Sequence, residues 1–202
     1  MRRFAPLLVV LLGAWLRFHA LVQDIRFQPD EAWFSTFARA AALNGDWWLR
    51  GPLDKPPLAI YANALAQVFI GDSEFAARVP GTFAGILLLP VMFAAAQAWY
   101  GAPRRVPLSL TVLILAALSP YAIAFSATAY TDTPMLLGLG LALALAGRSQ
   151  WGWSGVWLGL AFACKQQALF YLPLLLMLGW SAGELTVRRT LRFLAGLLAV
   201  TL

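Results

Sequence analysis

One cysteine and one histidine in 202 residues leave little room for several chemistries. Cys164 alone cannot form an intrachain disulfide, and there is no cysteine set for a structural zinc site. Cys164 reads as a small apolar residue in a helix. His19, at the end of the first apolar run, reads as an interfacial residue rather than a ligand. Charge is also scarce. Only 12% of residues are charged, against about 25% in an ordinary globular chain. No Walker loop, dinucleotide fingerprint or HExxH motif occurs.

What is present is apolar. Hydrophobic residues make up 61% of the chain, and the mean hydropathy is +0.72. A soluble domain of this size has no way to hide that much apolar surface, so lipid must replace the missing polar exterior. The apolar residues come in blocks long enough to cross a bilayer, which needs about 20 residues per helix. Helices are expected, because a lone spanning strand leaves its backbone unpaired. The net charge of +6 does not point to nucleic acid, since the basic residues are scattered over loops with no aromatic-interleaved stripe. Most of them are arginine, compatible with a GC-rich bacterial genome.

The expected fold is all-α: a polytopic transmembrane helical bundle with a long outer loop carrying two interfacial amphipathic helices. The first span covers 4–22, the outer loop 23–78, and further membrane helices 79–202. Those helices are expected at roughly 79–99, 107–127, 133–147, 153–163, 168–182 and 193–202. The blocks 153–163 and 168–182 are short and flank Lys165, so they read as two half-buried helices meeting at the membrane surface. Arg17, near the outer end of the first span, is expected to snorkel to the interface.

The positive-inside rule orients this layout. With a cytoplasmic N-terminus, Arg2, Arg3, Arg104, Arg105, Arg148, Arg188, Arg189 and Arg192 lie inside with Glu184. Asp24, Asp30, Glu31, Asp46, Asp54, Asp72, Glu74 and Asp132 lie outside. The apolar stretch Leu58–Ile70 is too short to span comfortably and would invert the later loops if it did, so it reads as a helix in the outer interface. Pro57 suits its first turn and Gly71 its end. Trp33, Phe34 and Phe37 mark a second surface helix ending near Asn44-Gly45, and Trp47 and Trp48 fit an aromatic belt. The expected location is the bacterial cytoplasmic (inner) membrane.

Three polar clusters converge on the outer side: Pro29-Asp30-Glu31; Asp54-Lys55-Pro56-Pro57 with Arg78; and Asp132 with Lys165. Ionisable groups at membrane depth are costly and are functional candidates by default. Each also has a structural reading. Asp30 sits where a helix N-cap belongs, ahead of the Trp33 helix, and cap and catalyst stand even. Glu31 in the first turn favours the helix dipole. Lys55 is held extended by the prolines after it. Asp132 can cap a helix starting at Thr133-Pro134, and Lys165 can snorkel. Read together, two lysines and Arg78 can neutralise a lipid phosphate, while a carboxylate takes a proton from an acceptor.

The order of these motifs resembles the GT-C superfamily of membrane glycosyltransferases. A first span ending in Leu16-Arg17-Phe18 is followed by Pro29-Asp30-Glu31, Asp54-Lys55-Pro56-Pro57-Leu58 and Glu74-Phe75-Ala76-Ala77-Arg78-Val79-Pro80. Thr131-Asp132 and Gly159-Leu160-Ala161-Phe162-Ala163-Cys164-Lys165 extend the likeness. The branch it is most similar to comprises the protein O-mannosyltransferases and the lipid A aminoarabinose transferases. The resemblance implies an inverting enzyme that takes its sugar from a polyprenyl-phosphate donor outside the cytoplasmic membrane. It implies Asp30 as catalytic base with Glu31 beside it, Lys55 and Lys165 on the donor phosphate, and Arg78 and Asp132 in support. Asp54 stands where, in some relatives, an acidic residue helps to hold a divalent metal ion. Members are usually more than twice this length, so the chain is expected to be the N-terminal portion of such a protein. The acceptor, whether protein, lipid or glycan, is not indicated. Competing readings are a polyprenyl-phosphate-binding protein or flippase without a base, a transporter and a non-catalytic membrane subunit. No internal repeat supports the transporter.

Overall fold

The computed structural model describes residues 4–23, 25–101 and 105–201. Arg2, Arg3, Asp24 and Arg104, used above to orient the chain, lie outside the described residues. Among the described residues the regular structure is entirely helical.

The helices are α1 (Ala5–Leu21), α2 (Pro29–Asn44), α3 (Leu58–Ile70), α4 (Glu74–Trp99), α5 (Arg105–Leu118), α6 (Pro120–Ser126), α7 (Asp132–Ala146), α8 (Trp151–Cys164), α9 (Leu172–Ser181) and α10 (Val187–Thr201). A 3-10 turn, Gln166–Tyr171, joins α8 to α9. Among the described residues, helix α4 alone is long and apolar enough to cross a bilayer unaided. Helices α5 and α6 reach that length together, bent by 59°.

The two helices expected in the loop after α1 are present. Helix α3 covers Leu58–Ile70, with Pro57 before it and Gly71 after it. Helix α2 ends at Gly45, whose φ of 70° is the left-handed conformation that closes a helix readily only when a side chain is missing. The two pack against each other through Phe34, Phe37, Ala38, Ala41, Ile60 and Ala64. Both therefore bury one face in the protein. Helix α4 starts five residues earlier than expected because Ser73 caps it, its hydroxyl accepting from Ala76 N at 3.1 Å.

The block expected at 107–127 is not one helix. Pro120 has no N–H to give to Ala116 O, and Ser119 starts a new helix by accepting from Ala122 N at 3.3 Å. Arg17 satisfies the carbonyls freed by that break. Its guanidinium donates to Ala116 O at 3.0 Å and Ala117 O at 3.3 Å, and to Gly13 O at 3.0 Å. The snorkelling role is thus corrected: Arg17 is 1% exposed and terminates α5 from the side.

Helix α8 is the hub of the second half, packing on α7 and α10. Its contact with α10 is a glycine seam. A Cβ on Gly155 would overlap Phe193 O, and one on Gly196 would overlap Gly152 O. Small residues let two backbones approach where lipid offers no hydrophobic drive. Gly155→Val should therefore force α10 off α8 and cost roughly 1–3 kcal/mol or more, read as a lower melting temperature in detergent. An unchanged melt would mean the seam does not bear on stability.

Helices α4 and α7 run parallel, with Trp99 Nε1 near the end of α4 donating to Leu143 O near the end of α7 at 2.9 Å, and α8 runs back antiparallel to α7, placing Lys165 at its end beside Asp132. Glu74, Asp132 and Lys165 consequently share one end of the bundle. At the other end Ser149 Oγ donates to Glu184 at 2.6 Å, and Arg189 pairs with the same carboxylate.

Candidate functional site

At the acidic end, five segments surround a cavity of about 500 Å³ lined by Asp30, Trp33, Phe34, Asp54, Lys55, Phe125, Tyr130, Asp132 and Lys165. That volume suits a small-molecule or headgroup site. Five of the residues singled out in the sequence, spread from position 30 to position 165, thus face one space.

Each is placed by a local rule. Pro29 occupies the first turn of α2, which makes Gln28 the N-cap and moves Asp30 into the helix. Asp30 is therefore not the cap: it is exposed, and its carboxylate has no hydrogen-bond partner among the described residues. Lys55 precedes Pro56 and reaches the cavity with its side chain only 17% exposed. Lys165 ends α8 in an extended conformation, φ −158° and ψ 126°, which turns its side chain off the helix axis. Asp132, at the first position of α7, accepts from Lys165 Nζ at 2.6 Å. Gln166 Nε2 donates to Asp54 O at 3.1 Å and ties the two lysine segments together.

The cavity is balanced in pairs. Lys165 faces Asp132, and Lys55 faces Asp54. The hydrogen bond from Lys55 holds the Asp54 carboxyl below its ordinary value, with the Lys165 charge adding to it. Asp30 is the lining carboxylate without an ion pair among the described residues. Burial pushes the Tyr130 phenol up, helped by the charges of Glu31, Asp30 and Asp132. It therefore stays protonated, and it donates to Gln28 Oε1 at 2.7 Å.

Glu31 and Arg78 lie outside this cavity and pair with each other. Arg78 Nε donates to one Glu31 oxygen at 2.9 Å and its terminal nitrogen to the other at 3.2 Å. Glu31 also accepts from Gln28 N and Ala129 N, each at 3.0 Å. A third Arg78 nitrogen donates to Ile25 O at 2.7 Å, and the guanidinium stacks 5.0 Å from the Phe27 ring. Glu31 is 1% exposed and Arg78 5%. The pair joins α2, α4 and the segment before α7. Gly81 lets that segment lie against α4, since a Cβ there would overlap Thr128 O.

No group of three metal-capable side chains occurs among the described residues. The Asp54 carboxylate pairs through one oxygen with the Lys55 ammonium.

The sequence model of the dolichyl-phosphate-mannose-protein mannosyltransferase family matches residues 54–202, well over half of the chain. The chain belongs to that family. It is accordingly a membrane glycosyltransferase of the GT-C type. The matched region of this mannosyltransferase-family chain contains Asp54, Lys55, Arg78, Asp132 and Lys165 and begins after Asp30 and Glu31. No curated protein and no solved structure matches the chain.

Sequence reasoning assigned no role to Tyr130, Gln28, Phe125 or Gln166. Tyr130 lies in the turn between α6 and α7 and Gln166 opens the 3-10 turn after Lys165, neither of which has a periodic signal, while Gln28 caps α2 and Phe125 lies in the short helix α6.

Proposed function

We propose that the chain forms the donor end of an inverting glycosyltransferase that takes a sugar from a polyprenyl-phosphate carrier at the outer face of the bacterial cytoplasmic membrane. The observation that carries this reading is the single cavity in which the unpaired Asp30 carboxylate faces the same space as two largely buried lysines.

Inverting transfer needs a base for the acceptor and a sink for the leaving phosphate. The acceptor O–H or N–H loses its proton to Asp30 as its lone pair attacks the anomeric carbon. The bond from that carbon to the phosphate oxygen breaks, and its electron pair stays on the phosphate. Lys55 and Lys165 stabilise that developing charge, exchanging their aspartate partners for phosphate oxygens. Glu31 and Arg78 act as positioning residues, holding the first turn of α2 and with it Asp30. Asp132 keeps Lys165 aimed into the cavity.

A second, mostly apolar space supports a lipid donor. It has a volume of about 470 Å³, shares Phe125 and Tyr130 with the first, and runs along Ala20, Ile25, Pro120, Ile123 and Ala124. A prenyl chain there leaves its phosphate at the lysines.

The test is transfer from a polyprenyl-phosphate sugar by the full-length protein in detergent. Lys55→Ala and Lys165→Ala should each lower kcat by about 10²–10³-fold with little change in melting temperature. Turnover within a factor of two of wild type in both would overturn the assignment.

A further inference from the structure

Behind α2, facing away from Asp30, lies a separate cavity of about 340 Å³ whose lining includes Phe27, Ser35, Arg39, Gln67, Asp72 and Glu74. Helix periodicity sets the division: Asp30, Trp33 and Phe34 face the first cavity, while Ser35 and Arg39 face this one. Two of its polar side chains are deeply buried. Ser35 is 6% exposed and Gln67 4%. Neither Ser35 Oγ nor Gln67 Oε1 has a hydrogen-bond partner among the described residues. A buried polar group left unmatched is destabilising, so this pair weighs against folding unless something binds there.

We propose that this cavity binds one monosaccharide unit of a glycan, recognised through Ser35 and Gln67. The chemistry of the lining selects that class. A sugar hydroxyl both donates and accepts, so it satisfies the serine and either orientation of the glutamine amide. The charged residues exclude an anion. Arg39 is paired with Asp72 at 2.6 Å, and Glu74 adds a further negative charge. A second phosphate would meet a net negative rim. Phe27 offers the apolar surface that the C–H face of a pyranose needs. A peptide would call for a sheet edge or an apolar groove, and this lining is neither.

The test uses the full chain in detergent, with mannose and N-acetylglucosamine as probes, and inorganic phosphate and an acetylated alanyl-serine amide as controls. Saturation-transfer NMR reads binding, and thermal melting without probe reads stability. Wild type should bind at least one sugar at millimolar concentration. Gln67→Leu should weaken that binding about tenfold, the cost of roughly one lost hydrogen bond, while melting at or above the wild-type temperature. Ser35→Ala should act in the same direction. Trp33→Ala, which strips an aromatic side chain from the lining of the first cavity, should leave this binding unchanged, which separates it from sugar held there. No sugar signal, equal sugar binding in Gln67→Leu, preferential binding of the peptide or phosphate, or a markedly lower melt for Gln67→Leu would each overturn the proposal.

Discussion

Asp30→Asn should lower sugar transfer by about 10²–10⁴-fold, the usual contribution of a positioned general base, and should leave the fold intact. Both halves follow from the same geometry. The carboxylate is exposed, caps nothing, and makes no ion pair among the described residues, so replacing it by an amide breaks no contact. Yet it faces the cavity that holds both lysines. Donor binding should survive, because the phosphate site is built from Lys55 and Lys165. The substitution therefore also separates enzyme from carrier-binding protein. A flippase or donor-binding protein has no use for a base and would tolerate it. Transfer at the wild-type rate, measured with a polyprenyl-phosphate sugar and a matched melting curve, would remove Asp30 from the mechanism.

Much of this arrangement was legible in the residues, and the limits have physical causes. Leu58–Ile70 announced itself by Pro57, Gly71 and a largely apolar run, and α3 has those bounds. Lys165 interrupted an apolar stretch, and the chain does break there. The sequence groups Asp132 with Lys165 on one predicted side, and they pair at 2.6 Å. Elsewhere a signal was present but outweighed. Ser119-Pro120 carries the same cap-and-proline pattern as a helix start, yet the apolar run around it reads as one span. Pro29 likewise implies a cap at Gln28, which removes the cap reading of Asp30. Other features had no local signal. Nothing near Arg17 in sequence says that it will find the carbonyls of Ala116 and Ala117. Nothing near Glu31 says that Arg78 will reach it in preference to a lipid phosphate. These are long-range choices decided by packing, and periodicity carries no information about them.

That last choice has the largest expected effect on stability. Glu31→Ala should cost about 3–5 kcal/mol, the range for removing one partner of a buried ion pair. The loss exceeds that of a surface bridge because no buried carboxylate replaces Glu31. The Arg78 guanidinium stays buried with only the half-exposed Glu74 carboxylate at 3.9 Å to oppose its charge, and the amides of Gln28 and Ala129 lose their acceptor. The exposed Arg39–Asp72 pair gives the contrast: breaking it should cost about 1 kcal/mol or less. Glu31→Leu combined with Arg78→Leu should recover much of the deficit, since two apolar side chains leave no stranded charge. Recovery should stay incomplete, because Ala129 N still lacks its partner. Activity should not return with stability. Glu31 ties the first turn of α2 to the segment carrying Tyr130, so the double variant loses the alignment of Asp30 even when it folds. Melting curves and transfer rates for the two single variants and the double give the coupling directly. A Glu31→Ala protein that melts with wild type would show that the pair holds nothing together. A double variant with full activity would show that Asp30 is positioned by something else.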